Sequence, residues 1–294
     1  MQIAYHIGAN CTDEERLLKS ILKNVDTLLQ RGIVVPGPGK YRRLLRETIQ
    51  GLDGAPPRPG TRDILIDAIV EEDSVTRVVL SNDNFIAIPK RIFDHGIFYP
   101  QTEDKVGTLA RLFPQDDLTL MMGMRHPASF LQEIARRVET PRLTDLIGGM
   151  SPLDLRWSDV VDRIRQAAPD ARICVWCNED TPLIWEDLMR VQTGLAADVP
   201  LEGCFDMLAT IITREGLAQL QTQMEQSPPS DRIARHEMIA AAIEAYANPA
   251  AMEDEIALPE LADAALIDAL DDSYDEDVEI LCAMDGVEVI LPFT

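Results

Sequence analysis

Short apolar segments alternate with helical patterns along most of the chain. The segments are apolar along most of their length, and they lie at residues 2–8, 75–81, 118–124 and 171–177. Strands of this kind that alternate with helices form a parallel sheet covered on both faces. The sequence therefore predicts an α/β fold. Ligands bind at the carboxyl ends of the strands in such folds, and these ends correspond here to 8–13, 81–85, 125–129 and 177–182.

Helical periodicity fills the intervals between the predicted strands. The predicted helices span 12–32, 41–51, 61–72, 104–113, 127–138, 157–169 and 182–195. Thr12 and Glu15 predict a capping box for the first helix, and Ser158 predicts a cap for the helix at 157–169. We therefore expect an α/β core over residues 1–203.

The pattern changes after residue 203 and becomes mainly helical. Helices are predicted at 205–212, 214–225, 229–247, 259–270 and 272–283. The segment "DGVEVILPFT" (285–294) predicts a short strand or an extended tail. Residues 204–294 are therefore expected to form an acidic, mainly helical region packed on the core.

Charge is distributed unevenly along the 294 residues, which carry a formal net charge of −23. Arg235 is the last basic residue, and 16 acidic residues follow it. The simplest interpretation of this acidic end is solubility. Nucleic acid is not expected as the main partner, because binding to its phosphate backbone needs a basic surface. A small molecule and a protein both remain open as partners, and the oligomeric state remains open as well.

The apolar runs and the cysteines bear on the cellular location. The apolar runs are too short to span a bilayer, and no signal peptide is indicated at the N-terminus. The five cysteines are odd in number and scattered, so they do not indicate a disulfide framework. We therefore expect a cytoplasmic protein without a membrane span.

A family resemblance begins in the segment "YHIGANCTDEERLLKSILKNVDTLLQRGI" (5–33). This segment resembles the first turn of the sulfotransferase family, where a strand ends in H-I-G-x-x-K-T-G-T-T before a helix. Later segments are similar to family segments in the same order: "RVVLSNDNF" (77–85), "MRHPASFLQEI" (124–134), "WSDVVDRIRQAAPDARICVWCNED" (157–180) and "YDEDVEILCAMDGV" (274–287). The similarity thus touches most of the chain.

The resemblance implies a P-loop-like fold and the transfer of a sulfuryl group from PAPS to a hydroxyl or amine. It implies that the first turn holds the 5′-phosphosulfate, with the corresponding positions at His6, Gly8, Asn10, Cys11 and Thr12. It also implies that Arg125 and a serine hold the 3′-phosphate. Glu133 stands where the family has that serine, so Ser129 is the candidate replacement.

The first turn departs from the family pattern at the positions that carry its chemistry. Cys11 replaces the lysine that would stabilise charge on the bridging oxygen, and the loss of such a group lowers a rate roughly 10²–10³-fold. Asp13, Glu14 and Glu15 replace Gly-Thr-Thr, and one like-charge contact at about 4 Å costs about 4 kcal/mol at an effective dielectric near 20. One interpretation is a sulfotransferase-like protein with a lost or altered site for PAPS, or for its desulfated form PAP, in a non-catalytic or binding role. The alternative is a divergent PAPS-dependent sulfotransferase.

A basic segment, "GPGKYRRLLRETI" (37–49), follows the first predicted helix. The resemblance implies that it shapes the substrate entrance, with anion or acceptor contacts from Lys40, Arg42 and Arg43. The alternative is a solvent-exposed helix face. In a working site, these residues or Lys19 would supply the positive charge that Cys11 lacks.

The remaining motifs carry less chemistry. His126 and Asp83 are the candidate general bases. The motif "CVWC" lies within a predicted strand, where Cys174 and Cys177 point to opposite faces, so it predicts two buried thiols and no metal site. The segment "DDSYDEDVE" (271–279) lacks the glycine and glutamate of a calcium loop, and it predicts a solvated acidic helix face.

Overall fold

A computed structural model describes residues 1–249 and 258–294 of the chain. Within these residues one parallel sheet contains the strands β1 (Gln2–Gly8), β2 (Ile33–Val34), β3 (Arg77–Ser81), β4 (Asp117–Met124), β5 (Arg172–Cys177) and β6 (Val287–Val289). Their order across the sheet is β2-β3-β1-β4-β5-β6, and every neighbouring pair is parallel. The α/β fold and the four predicted strands are thus confirmed. β2 was not predicted. For residues 285–294 a short strand and an extended tail were both open, and β6 corresponds to the short strand.

Helices follow the strands, and most of them lie where the periodicity predicts, whereas the helix at Leu143–Ile147 was not predicted. They are α1 (Arg16–Leu22), α2 (Val25–Leu29), α3 (Pro38–Leu52), α4 (Thr61–Ile69), α5 (Thr102–Leu112), α6 (Pro127–Val138), α7 (Leu143–Ile147), α8 (Trp157–Ala167), α9 (Thr181–Thr193), α10 (Arg214–Gln226), α11 (Arg232–Tyr246) and α12 (Ala264–Cys282). The segments 89–91, 94–96, 152–154, 178–180, 208–210 and 259–262 are short 3₁₀ turns. No helix of the described ranges is both long enough and apolar enough to cross a membrane.

The helices cover the sheet on both faces. The larger core cluster joins one face to apolar residues of α3 to α8 and α12, including Tyr41, Phe130 and Trp157. The smaller cluster joins the other face to α1, α2 and α9, including Trp176 and Trp185. A third cluster lies between α10 and α11. The sheet is therefore buried between two layers, as its apolar strands require.

This layering places the carboxyl end of β1 where the connections of neighbouring strands run to opposite faces of the sheet. The chain leaves β1 through α1 on one face of the sheet, whereas it leaves the neighbouring strands β3 and β4 through α5 and α6 on the other face. The connecting segments separate at such a reversal and leave a crevice at the carboxyl ends of the strands. The residues after β1 therefore occupy the usual ligand position of a doubly wound sheet.

The helix predicted at 12–32 is wrong in its start and in its continuity. The helix begins at Arg16, because Cys11, Glu14 and Glu15 adopt positive φ angles of 62°, 51° and 65°, which are not helical. A second break separates α1 from α2 at Asn24, whose side-chain amide donates to the carbonyl of Glu202 at 3.0 Å. The predicted capping box does not form, since Thr12 Oγ1 donates to the carbonyl of Ala9 instead, at 2.9 Å.

Three further predictions fail for tertiary reasons. Ser158 does not cap α8, because its hydroxyl donates to Asp277 of α12. Residues 205–212 contain one short 3₁₀ turn, and Asp206 ties this segment to Ser20 of α1 by a 2.6 Å hydrogen bond. The two helices predicted between 259 and 283 are one helix, α12, whose N-terminus is capped by Asp263.

The C-terminal region contributes to the core of the sheet domain. It supplies β6, which pairs with β5, and it supplies Leu258, Leu270 and Leu281 to the larger core cluster. The boundary at residue 203 stays a prediction. The described residues on either side of it nevertheless share one sheet and one core.

Gly216 is expected to tolerate no side chain. A Cβ at this position of α10 would lie 2.3 Å from Cβ of Tyr246 in α11. We expect Gly216→Ala to destabilise the protein by about 1–3 kcal/mol, as overpacking does, although alanine favours helices. Gly51→Ala in α3 is the matched control, since nothing lies within 4 Å of its Cβ position. That control should be neutral or stabilising by up to about 1 kcal/mol in urea unfolding. Equal stability of the two variants would contradict the expectation.

Candidate functional site

Residues 9–15, which we call the β1–α1 turn, connect β1 to α1 as an irregular loop. Its three non-glycine residues with positive φ each cost about 1–3 kcal/mol, so neighbouring contacts must hold them. The backbone N–H of Ala9 donates to the carbonyl of Gly123 at 2.9 Å, which ties the turn to β4. Gly8, which precedes the turn, has a φ of 149°, and a Cβ there would lie 3.5 Å from the carbonyl of Asp83.

Asn10 fixes the turn from inside the protein. Its fully buried amide uses both N–H groups, one to Asn84 Oδ1 and one to the carbonyl of Ala87, each at 3.0 Å. The hydroxyl of Tyr99 donates to Asn10 Oδ1 at 2.7 Å and accepts from the Asn10 backbone N–H at 3.2 Å. Asn10 is therefore committed to protein partners and holds the path of the turn.

Asp13 occupies the N-terminus of α1. The residue is 3% exposed, and its Oδ2 accepts from the backbone N–H of Leu17 at 3.0 Å. Its carbonyl accepts from the N–H of Arg16 at 2.9 Å. Free N–H groups at a helix N-terminus attract anions, and a carboxylate there is stabilised by the helix dipole. Asp13 thus supplies from within the chain the negative charge that a bound phosphate would bring.

The other two acids of the turn are held by arginines of neighbouring helices. Glu14 Oε1 accepts from Arg137 of α6 at 3.2 Å. Glu15 forms an ion pair with Arg42 of α3, whose Nε also donates to the carbonyl of Ser81 at 2.9 Å. These carboxylates therefore point toward different sides of the turn, and each neutralises a cation that could otherwise meet an anionic ligand.

Cys11 brings no positive charge to the turn. Its thiol is buried, and burial raises the pKa of Cys11 to about 12, so the group stays neutral at physiological pH. The carbonyl of Cys11 accepts from Arg125 Nη1 at 2.8 Å, and Arg125 Nε donates to Ser129 Oγ at 3.0 Å. The structure thus brings Cys11, Arg125 and Ser129 together beside the turn.

The histidines and Asp83 lie in two different surroundings. His6 Nδ1 is 3.2 Å from Ser81 Oγ, and its ring centroid lies 5.4 Å from that of Trp176, inside the sheet. Burial raises the pKa of Asp83, while the nearby His6 lowers it, so these two groups are neighbours. His126 turns away toward α12, where its Nε2 lies 2.9 Å from Asp271 Oδ1. Asp83 and His126, the two candidate general bases, therefore do not lie together in one site.

The three residues predicted for the substrate entrance separate in space. Arg42 contacts the β1–α1 turn through Glu15. Lys40 pairs with Glu71 at 2.7 Å, and Arg43 lies 3.7 Å from Glu47 with 78% of its side chain exposed. Arg42 therefore is the member of the predicted set that contacts the candidate site.

Two residues that matter for the turn escaped the sequence reasoning. Asn84 follows β3 in the segment 81–85, which the sequence identifies as a strand end. Its place at the candidate site could therefore have been predicted. Tyr99 lies in an irregular stretch before α5, and no local signal distinguishes it. Its role depends on a contact across 89 positions of the chain.

The remaining motifs also have defined surroundings. Cys174 and Cys177 are buried, free thiols that belong to the smaller and the larger core cluster respectively, which confirms that they face opposite sides of the sheet. The acidic segment 271–279 lies in α12 and is exposed at five of its nine positions, but the prediction of a solvated face is wrong at Ser273, Tyr274 and Asp277, which are buried. Among the residues that the structure describes, no group of three or more His, Cys, Asp or Glu is arranged to hold a metal ion.

The geometry at the end of β1 thus combines a buried polar anchor, a neutral thiol and three internally paired acids. The arrangement lies where doubly wound folds bind ligands, yet its carboxylates use the groups that a phosphate would need. A comparison of the chain with family models, curated proteins and solved structures finds no match.

Proposed function

We propose that this chain is a sulfotransferase-like protein with a P-loop-like fold whose β1–α1 turn has lost PAPS binding, and that it serves a non-catalytic binding role. The order of the similar segments along the chain supports the family assignment. The position of the turn, at the end of a central strand of a parallel sheet, is the position expected for the donor site of that family. This proposal differs from an enzymatic function because the turn no longer binds the sulfuryl donor PAPS.

The contact between Asp13 and the N-terminus of α1 is the observation that carries the proposal. A phosphate on the turn would compete with the Asp13 carboxylate for the N–H of Leu17, which lies 3.0 Å from Oδ2. It would also meet the charge of a carboxylate that is nearly fully buried, where repulsion is poorly screened. Cys11 offers a neutral thiol where the family uses a lysine, so position 11 supplies no cation to offset this repulsion.

The alternative function, a divergent PAPS-dependent sulfotransferase, has its own supporting observation. Arg125 and Ser129 are hydrogen-bonded to each other beside the turn, in the part of the fold where the family binds the 3′-phosphate. Arg42 lies on the other side of the turn. A working site would draw its positive charge from these arginines rather than from position 11.

Calorimetric titration with PAP at low ionic strength distinguishes the two functions. We expect no binding by the wild type and a gain of binding in Cys11→Lys combined with Asp13→Gly, which restores a cation and frees the Leu17 amide. The matched control is Cys282→Lys combined with Asp285→Gly, which makes the same charge change at exposed positions outside the turn. It should not bind PAP.

The wild-type measurement is decisive even if the double variant unfolds. Binding of PAP by the wild type with a dissociation constant near the micromolar range would refute the proposed loss and favour the enzyme. Binding by the control variant at the strength of the turn variant would show that added positive charge, rather than the turn, accounts for the gain.

A further inference from the structure

A cavity of about 420 Å³ lies between α3, the segment after β3 and the start of α5. Its basic lining consists of Arg42, Arg46, Arg91 and Lys105, and none of the described residues that line it is acidic. The chain as a whole carries a net charge of −23. Four cations around one cavity in so acidic a protein are a local reversal of charge, which concentrates anions.

Two of these cations are already balanced by acids outside the cavity. Arg42 pairs with Glu15, and Arg91 Nε lies 2.7 Å from Asp94 Oδ2. Arg46 and Lys105 have no ion pair with any residue in the described ranges. The cavity therefore holds about two uncompensated positive charges.

Lys105 shows the electrostatic effect of this excess. Its Nζ donates to the carbonyl of Phe85 at 3.2 Å, which is a neutral partner. Burial lowers the pKa of Lys105, and the neighbouring Arg91 and Arg46 lower it further, while the adjacent Asp104 opposes the shift without reversing it. An anion in the cavity would offset the repulsion between Lys105 and the two arginines. This electrostatic gain would favour its binding.

The rest of the lining combines amide groups with apolar side chains. Gln50 and Gln101 offer side-chain amides, whereas the amide of Asn84 is held by Asn10 and Asp83. Ile49 and Phe85 form a buried apolar wall. Ile88, also in the lining, leaves 53% of its surface exposed. The volume lies in the range of about 300–1,000 Å³ that is typical of sites for small organic ligands. The lining is more polar than in most such sites, since Ile49, Phe85 and Ile88 are its apolar members.

We propose that this cavity binds a phosphate monoester carried on an apolar body. The phosphoryl group brings about two negative charges at neutral pH, which matches the two uncompensated cations. Arginine forks and amide donors suit its several oxygens, and the apolar wall accommodates the body. The cavity lies beside the β1–α1 turn and is lined by Arg42 and Asn84, which contact Glu15 and Asn10 of that turn. None of residues 9–15 lines it, so the proposal does not depend on whether the turn binds PAP.

The test uses phenyl phosphate as the probe in calorimetric titrations at pH 8 and low salt. We expect saturable one-to-one binding that weakens at least tenfold in Arg46→Gln. Arg43→Gln is the matched control, because it removes the same charge from the same helix at a side chain that is 78% exposed and outside the lining. That control should bind as the wild type does. Equal loss in both variants, or no binding by the folded wild type, would overturn the proposal.

Two further probes separate charge from shape. Phenyl sulfate has the same body with one negative charge, and we expect it to bind at least tenfold more weakly than phenyl phosphate. Inorganic phosphate keeps the charge without the body, so Ile88→Ser should weaken phenyl phosphate several-fold and leave inorganic phosphate unchanged. Ile64→Ser is the control for that change, since Ile64 is 70% exposed on α4 and outside the lining. Equal affinity for the sulfate and phosphate esters would refute the required double charge.

Discussion

Replacing Asp277 by alanine is expected to lower the free energy of unfolding by about 3–5 kcal/mol. Asp277 is 1% exposed, and its carboxylate accepts from the backbone N–H of Trp157 at 2.6 Å and from the N–H and hydroxyl of Ser158. Alanine would leave these three buried donors without their acceptor, at about 1–3 kcal/mol for each unsatisfied group. It would also remove a negative charge from the N-terminus of α8, where the helix dipole favours one.

Urea unfolding of the wild type, Asp277→Ala and Glu276→Ala checks this expectation. Glu276 is the neighbouring acid on α12, but it is exposed and pairs with Arg156 at 2.8 Å on the surface. Its removal should cost less than about 1 kcal/mol, as surface ion pairs do. A loss below about 1 kcal/mol in Asp277→Ala would mean that water or a shifted side chain replaces the carboxylate, and that α12 does not hold α8.

The second large effect is expected at Asn10, where alanine should destabilise the protein by about 2–4 kcal/mol. The change leaves the hydroxyl of Tyr99 without an acceptor for its proton, and the carbonyl of Ala87 and Oδ1 of Asn84 without the donor from Asn10. The change would also remove the side-chain contacts that hold Asn10 in place beside Cys11, whose φ is positive. We therefore expect a large loss in the free energy of unfolding when this small polar side chain is removed.

A double-mutant cycle with Tyr99→Phe tests whether these bonds form one network. Tyr99→Phe removes the hydroxyl that both donates to and accepts from Asn10. The double variant should cost less than the sum of the two single variants by about 1 kcal/mol or more, because interacting residues are not additive. Strict additivity in thermal or urea unfolding would contradict the network.

The main sheet could be predicted because its information is local. Apolar segments such as 118–124 can only be buried strands in a covered sheet, and the order of strands and helices then restricts the topology. β2, at two residues, is too short to show a pattern of its own, and the pattern at β6, with three residues, left a short strand and an extended tail open. They are strands because a longer neighbour offers hydrogen bonds.

The caps and the candidate site depended on distant residues and were harder to predict. Ser158 has the right residue type for a cap, yet a carboxylate 119 positions later satisfies its backbone N–H. The location of the candidate site followed from the strand ends, whereas the attention to the acids at 13–15 came from the departure from the family pattern. Where those acids point could not follow from the sequence, because Arg137 and Arg42 reach them from other helices.

The late position of β6 and α12 in the chain has a consequence for the order of folding. β6 pairs with β5 across more than 100 positions, and Asp277 reaches α8 across 120. Closing such long loops is slow compared with forming local structure. We therefore expect a folding intermediate in which β5 is an open sheet edge and α8 is uncapped. An open edge of an apolar strand invites pairing between molecules, so aggregation during refolding should depend on how quickly the last acidic helix docks.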